Sequence, residues 1–418
     1  MRSLISPYIT QWWANPIYQH RVAQKRLSKV NDPSAAHVFI ALDDPHSHIF
    51  IQALQKLNHH YRLHMKVHVI HHRPSHMFPE PEMWQKWASH DANLLADAFQ
   101  LAAPSTVPKQ HLAAAWKVWF GGEVHTLDFL LQLMERPEKV IADHPHLAST
   151  PLSQVEQRLQ LSEHLLKSTD HFAPATLFHK GHWYWGVDRL HYFEQKLNES
   201  RSVHRPVLNL KTLTLGERAP TDATIPVVLY YSLRSPYSHL ALHQAHRLCQ
   251  HYGIPLIVKP VLPMLMRQLP VPRAKTQYLF FDALREAQSK DIPYGKIADP
   301  LGKGVENSYA IWHYANEQGK GAEWLLAISN AVNAQGKSAN YSHTLKQQCH
   351  RIGLDWSSAR QYLNQNGWRP MAEEHLKEMY ELGCWGVPTL VYGDHVFWGQ
   401  DRIWALEKQI IEAHKESA

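Results

Sequence analysis

Apolar residues along this chain fall into two periodicities. Short runs rich in β-branched and aromatic residues stand at 37–42, 65–70, 176–185, 227–231, 256–260 and 389–398, bounded by turn-forming residues, and read as strands. Between them apolar positions recur every three or four residues through Asn93–Leu101, Thr126–Met134, Tyr278–Ala287 and Trp324–Val332, which predicts helices. The order strand, helix, strand, helical insertion, strand pair and terminal helix occurs twice.

The two passages are alike in residues as well as in period. His37–Ile49 reads H-V-F-I-A-L-D-D-P-H-S-H-I and Val228–Leu240 reads V-L-Y-Y-S-L-R-S-P-Y-S-H-L. Without a gap the likeness runs on to His60–Tyr61 and His251–Tyr252. It returns at Ala173–Pro174 and Val387–Pro388, then at Trp185–Leu190 and Trp398–Ile403. Motif groups in the same order imply a duplicated unit. The expected class is α/β: this order of elements, twice over, resembles two tandem thioredoxin-like, DsbA-type domains, each carrying an inserted helical subdomain. The expected boundaries are a basic amphipathic arm at 1–35, a degenerate first domain at 36–199, a linker at 200–224 and a second domain at 225–416. Within the linker, Val207–Leu215 alternates like an extended strand.

At 418 residues the chain exceeds one ordinary core, in keeping with two domains. No run approaches the roughly 18 apolar residues of a membrane span, and no signal-peptide pattern opens the chain, so the cytoplasm is expected. Cys249, Cys349 and Cys384 form no CxxC, which removes a dithiol of the protein's own. The net charge of +6 is dispersed and matches no nucleic-acid motif. The 32 histidines show no metal-ligand spacing, and no metal site is expected. Residues 1–31 hold five Lys or Arg and no acid, with Leu4, Ile5, Tyr8, Ile9 and Trp12–Trp13 as the apolar side of a short helix docking on the protein itself.

The chemistry gathers at Ser235-Pro-Tyr-Ser. Pro236 suits the first helical position, which makes Ser235 the N-cap of a helix that follows a strand directly. A hydroxyl at a helix N-terminus favours anions and can donate to a thiolate. Lowering a thiol pKa by two units takes roughly 2.7 kcal/mol. A hydrogen bond of about 1–1.5 kcal/mol and a dipole contribution of about 0.3–1 kcal/mol supply most of it.

Ser235-Pro-Tyr-Ser, Gly386–Val387–Pro388–Thr389 and Trp398–Gly399–Gln400–Asp401–Arg402 together resemble the family of 2-hydroxychromene-2-carboxylate isomerases and kappa-class glutathione transferases over residues 225–416. The resemblance implies a glutathione site. Ser235 falls on the family's sulfur-activating serine, Pro388 on its cis-proline, and Val387 on the residue that pairs with the cysteinyl backbone. Gln400 and Asp401 fall where the γ-glutamyl end is held. It implies thiolate addition to a conjugated, electrophilic small molecule, bond rotation and elimination. Ser232 replaces the family's usual Asp and His239 its usual aromatic, both on the substrate side together with Asn307. In the first copy Asp44 stands at the serine position, where a carboxylate repels a thiolate, and Pro174 sits one residue out of register.

Three other readings stay open on the residues. Ser235 and His239, four apart on one helix face, would suit a hydrolase. A DsbA-like oxidoreductase would have to work through glutathione or a lone cysteine. A ligand-binding or scaffold protein needs no turnover. Chains pairing as homodimers, and the first copy closing over the second as an internal pseudo-dimer, are further expectations.

Overall fold

The computed structural model describes residues 2–71, 77–123, 125–201, 206–209, 211–216 and 225–417. It divides into two compact units, residues 20–211 and residues 1–19 with 212–418. The N-terminal segment, expected as one arm, is therefore shared: α1 (Arg2–Trp13) belongs to the second unit, and most of α2 (Pro16–Leu27) to the first.

In the first unit β1 (Ala36–Ile40) leads into α3 (Pro45–Tyr61) and β2 (Met65–Val69). The helical insertion holds α4 (Pro81–Phe99), α5 (Lys109–Gly121), α6 (Leu127–Glu135), α7 (Pro137–Asp143), α8 (Pro145–Ala148) and α9 (Leu152–Ser168). The hairpin β3 (Thr176–His179) and β4 (His182–Trp185) follows, then α10 (Leu190–Arg201). The sheet order is β2-β1-β3-β4, with β2 parallel to β1 and the hairpin antiparallel. Every residue of β1 is buried, as expected for a central strand, so its sequence does not alternate; it is apolar but for His37, whose ring nitrogens bond to His68 and Asp32 O.

The second unit repeats this plan. β5 (Val227–Tyr231), α11 (Pro236–Tyr252) and β6 (Leu256–Pro260) are followed by α12 (Arg273–Ser289), α13 (Lys303–Glu317), α14 (Gly321–Asn333), α15 (Ser342–Arg351), α16 (Trp356–Ala359) and α17 (Trp368–Glu381). The hairpin β7 (Thr389–Tyr392) and β8 (His395–Trp398) and the final α18 (Ile403–Ser417) close it, in sheet order β6-β5-β7-β8. Each unit thus has a thioredoxin-like fold, and the helices α3 and α11 have the same 17-residue length. Both open with a proline behind a capping side chain and end on a left-handed residue, Arg62 and Gly253.

The connector departs from the expected strand. None of its described residues pairs with a sheet; two buried glutamates take its amides instead. Glu194 of α10 accepts from Val207 and Leu208 and from the Tyr61 hydroxyl. Glu407 of α18 accepts from Thr214 (2.8 Å) and Leu215 (2.6 Å) and from the Tyr252 hydroxyl. The connector's alternation reflects capture by paired carboxylates, not pairing in a ladder. Residues 202–205, 210 and 217–224 of the expected linker lie outside the described residues.

Helix α1 also reverses an expectation. Its polar side, with Ser3, Ser6 and Thr10, meets the second unit, while Leu4, Ile5, Tyr8, Ile9 and Trp12 are exposed. Trp13 is the aromatic that packs inward, edge-on to Phe280.

Candidate functional site

Three separated stretches meet at the carboxyl end of β5. The strand stops at Tyr231, a turn holds Ser235 N–H to Ser232 O at 3.0 Å, and α11 begins at Pro236. β7 pairs Thr389 with Tyr230, so Pro388 and Val387 flank the strand end where that turn starts. The Val387–Pro388 peptide bond is cis. Gly399 N–H donates to Pro388 O at 3.0 Å, which ties the Gln400–Asp401 turn to the same corner. Gly399 has φ +124°, and a Cβ there would stand 2.5 Å from Asp401 Oδ1, so glycine is required.

Ser235 is half-buried and caps α11. Its hydroxyl accepts from Ser238 N–H at 3.2 Å. A hydroxyl that accepts this amide keeps its own proton to donate outward, at the positive end of a 17-residue helix. The Val387 amide and carbonyl have no backbone partner among the described residues. An extended chain beside them would find an unpaired donor and acceptor.

The two residues after Gly399 part company. Gln400 is 1% exposed and turned inward. Its amide donates to Glu286 Oε2 at 2.8 Å and accepts from Gln244 at 3.0 Å, anchoring α12 of the insertion to the thioredoxin sheet. Its side chain is committed to the fold and is not free for the γ-glutamyl end, as the resemblance had implied. Asp401 stays partly exposed beside the Arg402 guanidinium, 3.3 Å away.

Lys275, near the start of α12, was not singled out from sequence. It stands 5.7 Å from the Trp385 ring, which packs edge-on to Trp398 at 5.4 Å. Burial lowers its ammonium to about 8. A lone lysine on a helix gives no pattern; only the fold brings it beside the loop preceding Pro388.

The three residues expected on the substrate side are core residues. His239 is fully buried, with Nδ1 on Ser329 Oγ and Nε2 on Pro293 O, both at 2.8 Å. Burial lowers its pKa to about 3. Both ring nitrogens are engaged away from Ser235, so His239 is not its base and the Ser235–His239 hydrolase reading falls. Asn307 donates to Ala339 O at 3.1 Å and is 5% exposed. Ser232 is 2% exposed, and its amide donates to Ser238 Oγ. An apolar-looking helix face hid His239 and Asn307; burial is what separates core from cleft.

The three cysteines are buried and none is in a disulfide. Burial pushes Cys249 and Cys349 up to about 12, far from thiolate at neutral pH.

In the first unit Asp44 occupies the Ser235 position. It caps α3, accepting from Ser47 N–H at 3.0 Å and Ser47 Oγ at 2.8 Å. Burial opposes charge on His46, but hydrogen bonds to Asp44 and Asp91 outweigh it and raise its pKa. Gly186 N–H donates to Ala175 O at 2.8 Å, so Ala175, not Pro174, is the counterpart of Pro388.

This arrangement, a strand end, a capped helix and, after a helical insertion, a hairpin led by a cis-proline, is that of a DsbA-like thioredoxin domain. Residues 226–411 match the model of the DSBA-like thioredoxin domain family. The chain is 24% identical over 200 residues to a 2-hydroxychromene-2-carboxylate isomerase of Pseudomonas putida, covering 46% of this chain and 97% of the relative. A second such isomerase, from Pseudomonas sp. (strain C18), is 24% identical over 196 residues, covering 44% and 89%. Among solved structures, a 2-hydroxychromene-2-carboxylate isomerase superposes with TM-score 0.41 at 24% identity, over 46% of this chain and 97% of that one. The cytosolic disulfide reductase DsbM from Pseudomonas aeruginosa gives 0.35 at 19% identity, over 44% and 98%.

Proposed function

We propose that the second domain binds glutathione and uses Ser235 to hold its sulfur as thiolate, in a glutathione-dependent isomerase or transferase acting on a conjugated, electrophilic small molecule. The observation that carries this reading is the Ser235 hydroxyl, with its acceptor side taken by Ser238 N–H and its proton left to donate at a helix N-terminus. Glutathione, when bound, supplies the nucleophile that the buried cysteines do not. The residues present fit it. Val387 offers an unpaired amide and carbonyl to an extended peptide, Asp401 a carboxylate to an ammonium, and Lys275 a cation to a carboxylate. The isomerase relatives of this half of the chain support the reaction class. Such a site would work in a reducing compartment such as the cytoplasm, where glutathione stays a thiol.

The same reading makes the first unit a duplicated copy without this chemistry. Asp44 presents a second negative charge where Ser235 presents a proton, and Ala175 replaces the cis-proline.

Calorimetric titration of glutathione, with thiolate absorbance followed against pH, tests the proposal. Wild type binds with a thiol pKa lowered by about two units, and Ser235→Ala returns it toward about 8.5. No binding by wild type at millimolar glutathione retires the enzyme reading and leaves a scaffold.

A further inference from the structure

Helix α1 lies outside the region that matches the DsbA-like family, yet it packs on that region's unit. It does so through polar atoms. Ser6 Oγ accepts from Asp299 N–H at 2.9 Å, and Thr10 Oγ1 accepts from Ile297 N–H at 2.8 Å. Ser3 Oγ accepts from Asn340 Nδ2 at 3.2 Å. The first two of these bonds satisfy amides of the segment between α12 and α13, whose Gly295 and Ala298 amides donate to the Asn333 and Val332 carbonyls.

Asp299 then reaches the candidate site. Its carboxylate takes Arg234 in two contacts, Nε to Oδ1 at 2.9 Å and Nη2 to Oδ2 at 3.3 Å. The side chains are 20% and 13% exposed, so the pair is more costly to break than a surface ion pair. Arg234 is the residue immediately before Ser235, in the turn that sets the direction of the capping hydroxyl. A second path runs through rings. Trp13 packs on Phe280 at 5.4 Å, Phe280 on Tyr294 at 5.8 Å, and Tyr294 joins the cluster of Leu240, Ala283 and Ala287 beneath Tyr237 of α11.

We propose that Ser6 and Thr10 are positioning residues of the second domain's site: through Asp299 and Arg234 they hold the turn that presents Ser235. Residues at the start of the chain thereby complete a site whose other parts lie beyond residue 230. That this turn serves glutathione rests on the reading above; that α1 braces it does not.

The test uses the full-length chain carrying Ser6→Ala and Thr10→Ala together, with Ser6→Thr and Thr10→Ser as the conservative pair that keeps both hydroxyls. Amide hydrogen exchange is read at 295–301, at 232–239 and, for reference, at β7 and β8. The alanine pair is expected to exchange about tenfold faster at Asp299 and also at Ser238, whose amide bonds to Ser235, with β7 and β8 unchanged. The conservative pair restores wild-type exchange. Asp299→Asn, which keeps the amide bonded to Ser6 and removes the charge facing Arg234, is expected to loosen 232–239 while Ile297 stays protected. In parallel, the alanine pair binds glutathione about tenfold more weakly, with the thiol pKa moved back toward its free value. Faster exchange confined to 295–301, with Ser238 and glutathione binding unaltered, overturns the brace. If wild type binds no glutathione, the functional reading fails and the exchange at Ser238 still decides the brace.

Discussion

One position shows how much a single side chain decides. Ser235 and Asp44 cap helices of equal length after equivalent central strands, and each accepts the amide three residues on. As caps they are interchangeable. As partners for an anion they are opposites, since a hydroxyl retains a proton and a carboxylate adds a charge. Asp44→Ala is expected to cost the first unit about 1–2 kcal/mol, read by denaturant unfolding, with Asp44→Ser costing clearly less. Ser235 was legible as a cap from its neighbours in sequence. Lys275 was not, because the ring it faces lies 110 positions away and no local pattern links them.

At the scale of elements, the order of strands and helices along the chain and the helical insertions followed from periodicity, because a buried strand and an amphipathic helix leave distinct apolar spacings; the order of strands within each sheet did not. The connector misled for a physical reason. Alternation records which side of an extended chain is covered, and a carboxylate covers it as well as a neighbouring strand does. Glu407 takes two consecutive amides, the Thr214 hydroxyl and the Tyr252 hydroxyl. Glu407→Gln replaces an acceptor by a donor facing donors, and is expected to cost about 2–4 kcal/mol and to release residues 212–216 to rapid amide exchange. An unchanged exchange pattern would show that the connector is held by other contacts. Helix α1 misled in the same way, since its apolar side faces out and its hydroxyls face in.

For the whole molecule, one buried and two half-buried histidines set an acid limit. Burial lowers His239 and His68 to about 3 and His179 to about 4. Below the unfolded value near 6.5 the unfolded chain binds protons that the folded one refuses, so stability present above pH 6.5 is lost as pH falls toward these values. The unfolding free energy should therefore drop steadily from pH 6.5 to 4, by up to ~1.4 kcal/mol per pH unit for His239 alone. His239→Gln should flatten that part of the profile in the second unit; an unaltered slope would place the acid sensitivity elsewhere. Titration should also give one glutathione per chain, because only the second unit has a proton donor at its cap; two would assign the first unit a site of its own.

The sequence by itself determined two thioredoxin-like units, the helices that interrupt them and the serine at the second cap, because apolar period and capping chemistry are local properties of consecutive residues. Only the tertiary structure decided which polar residues face a cleft. His239, Asn307 and Gln400 carry the same chemistry in a core as in a site, and burial with satisfied partners is a property of residues far apart in the chain.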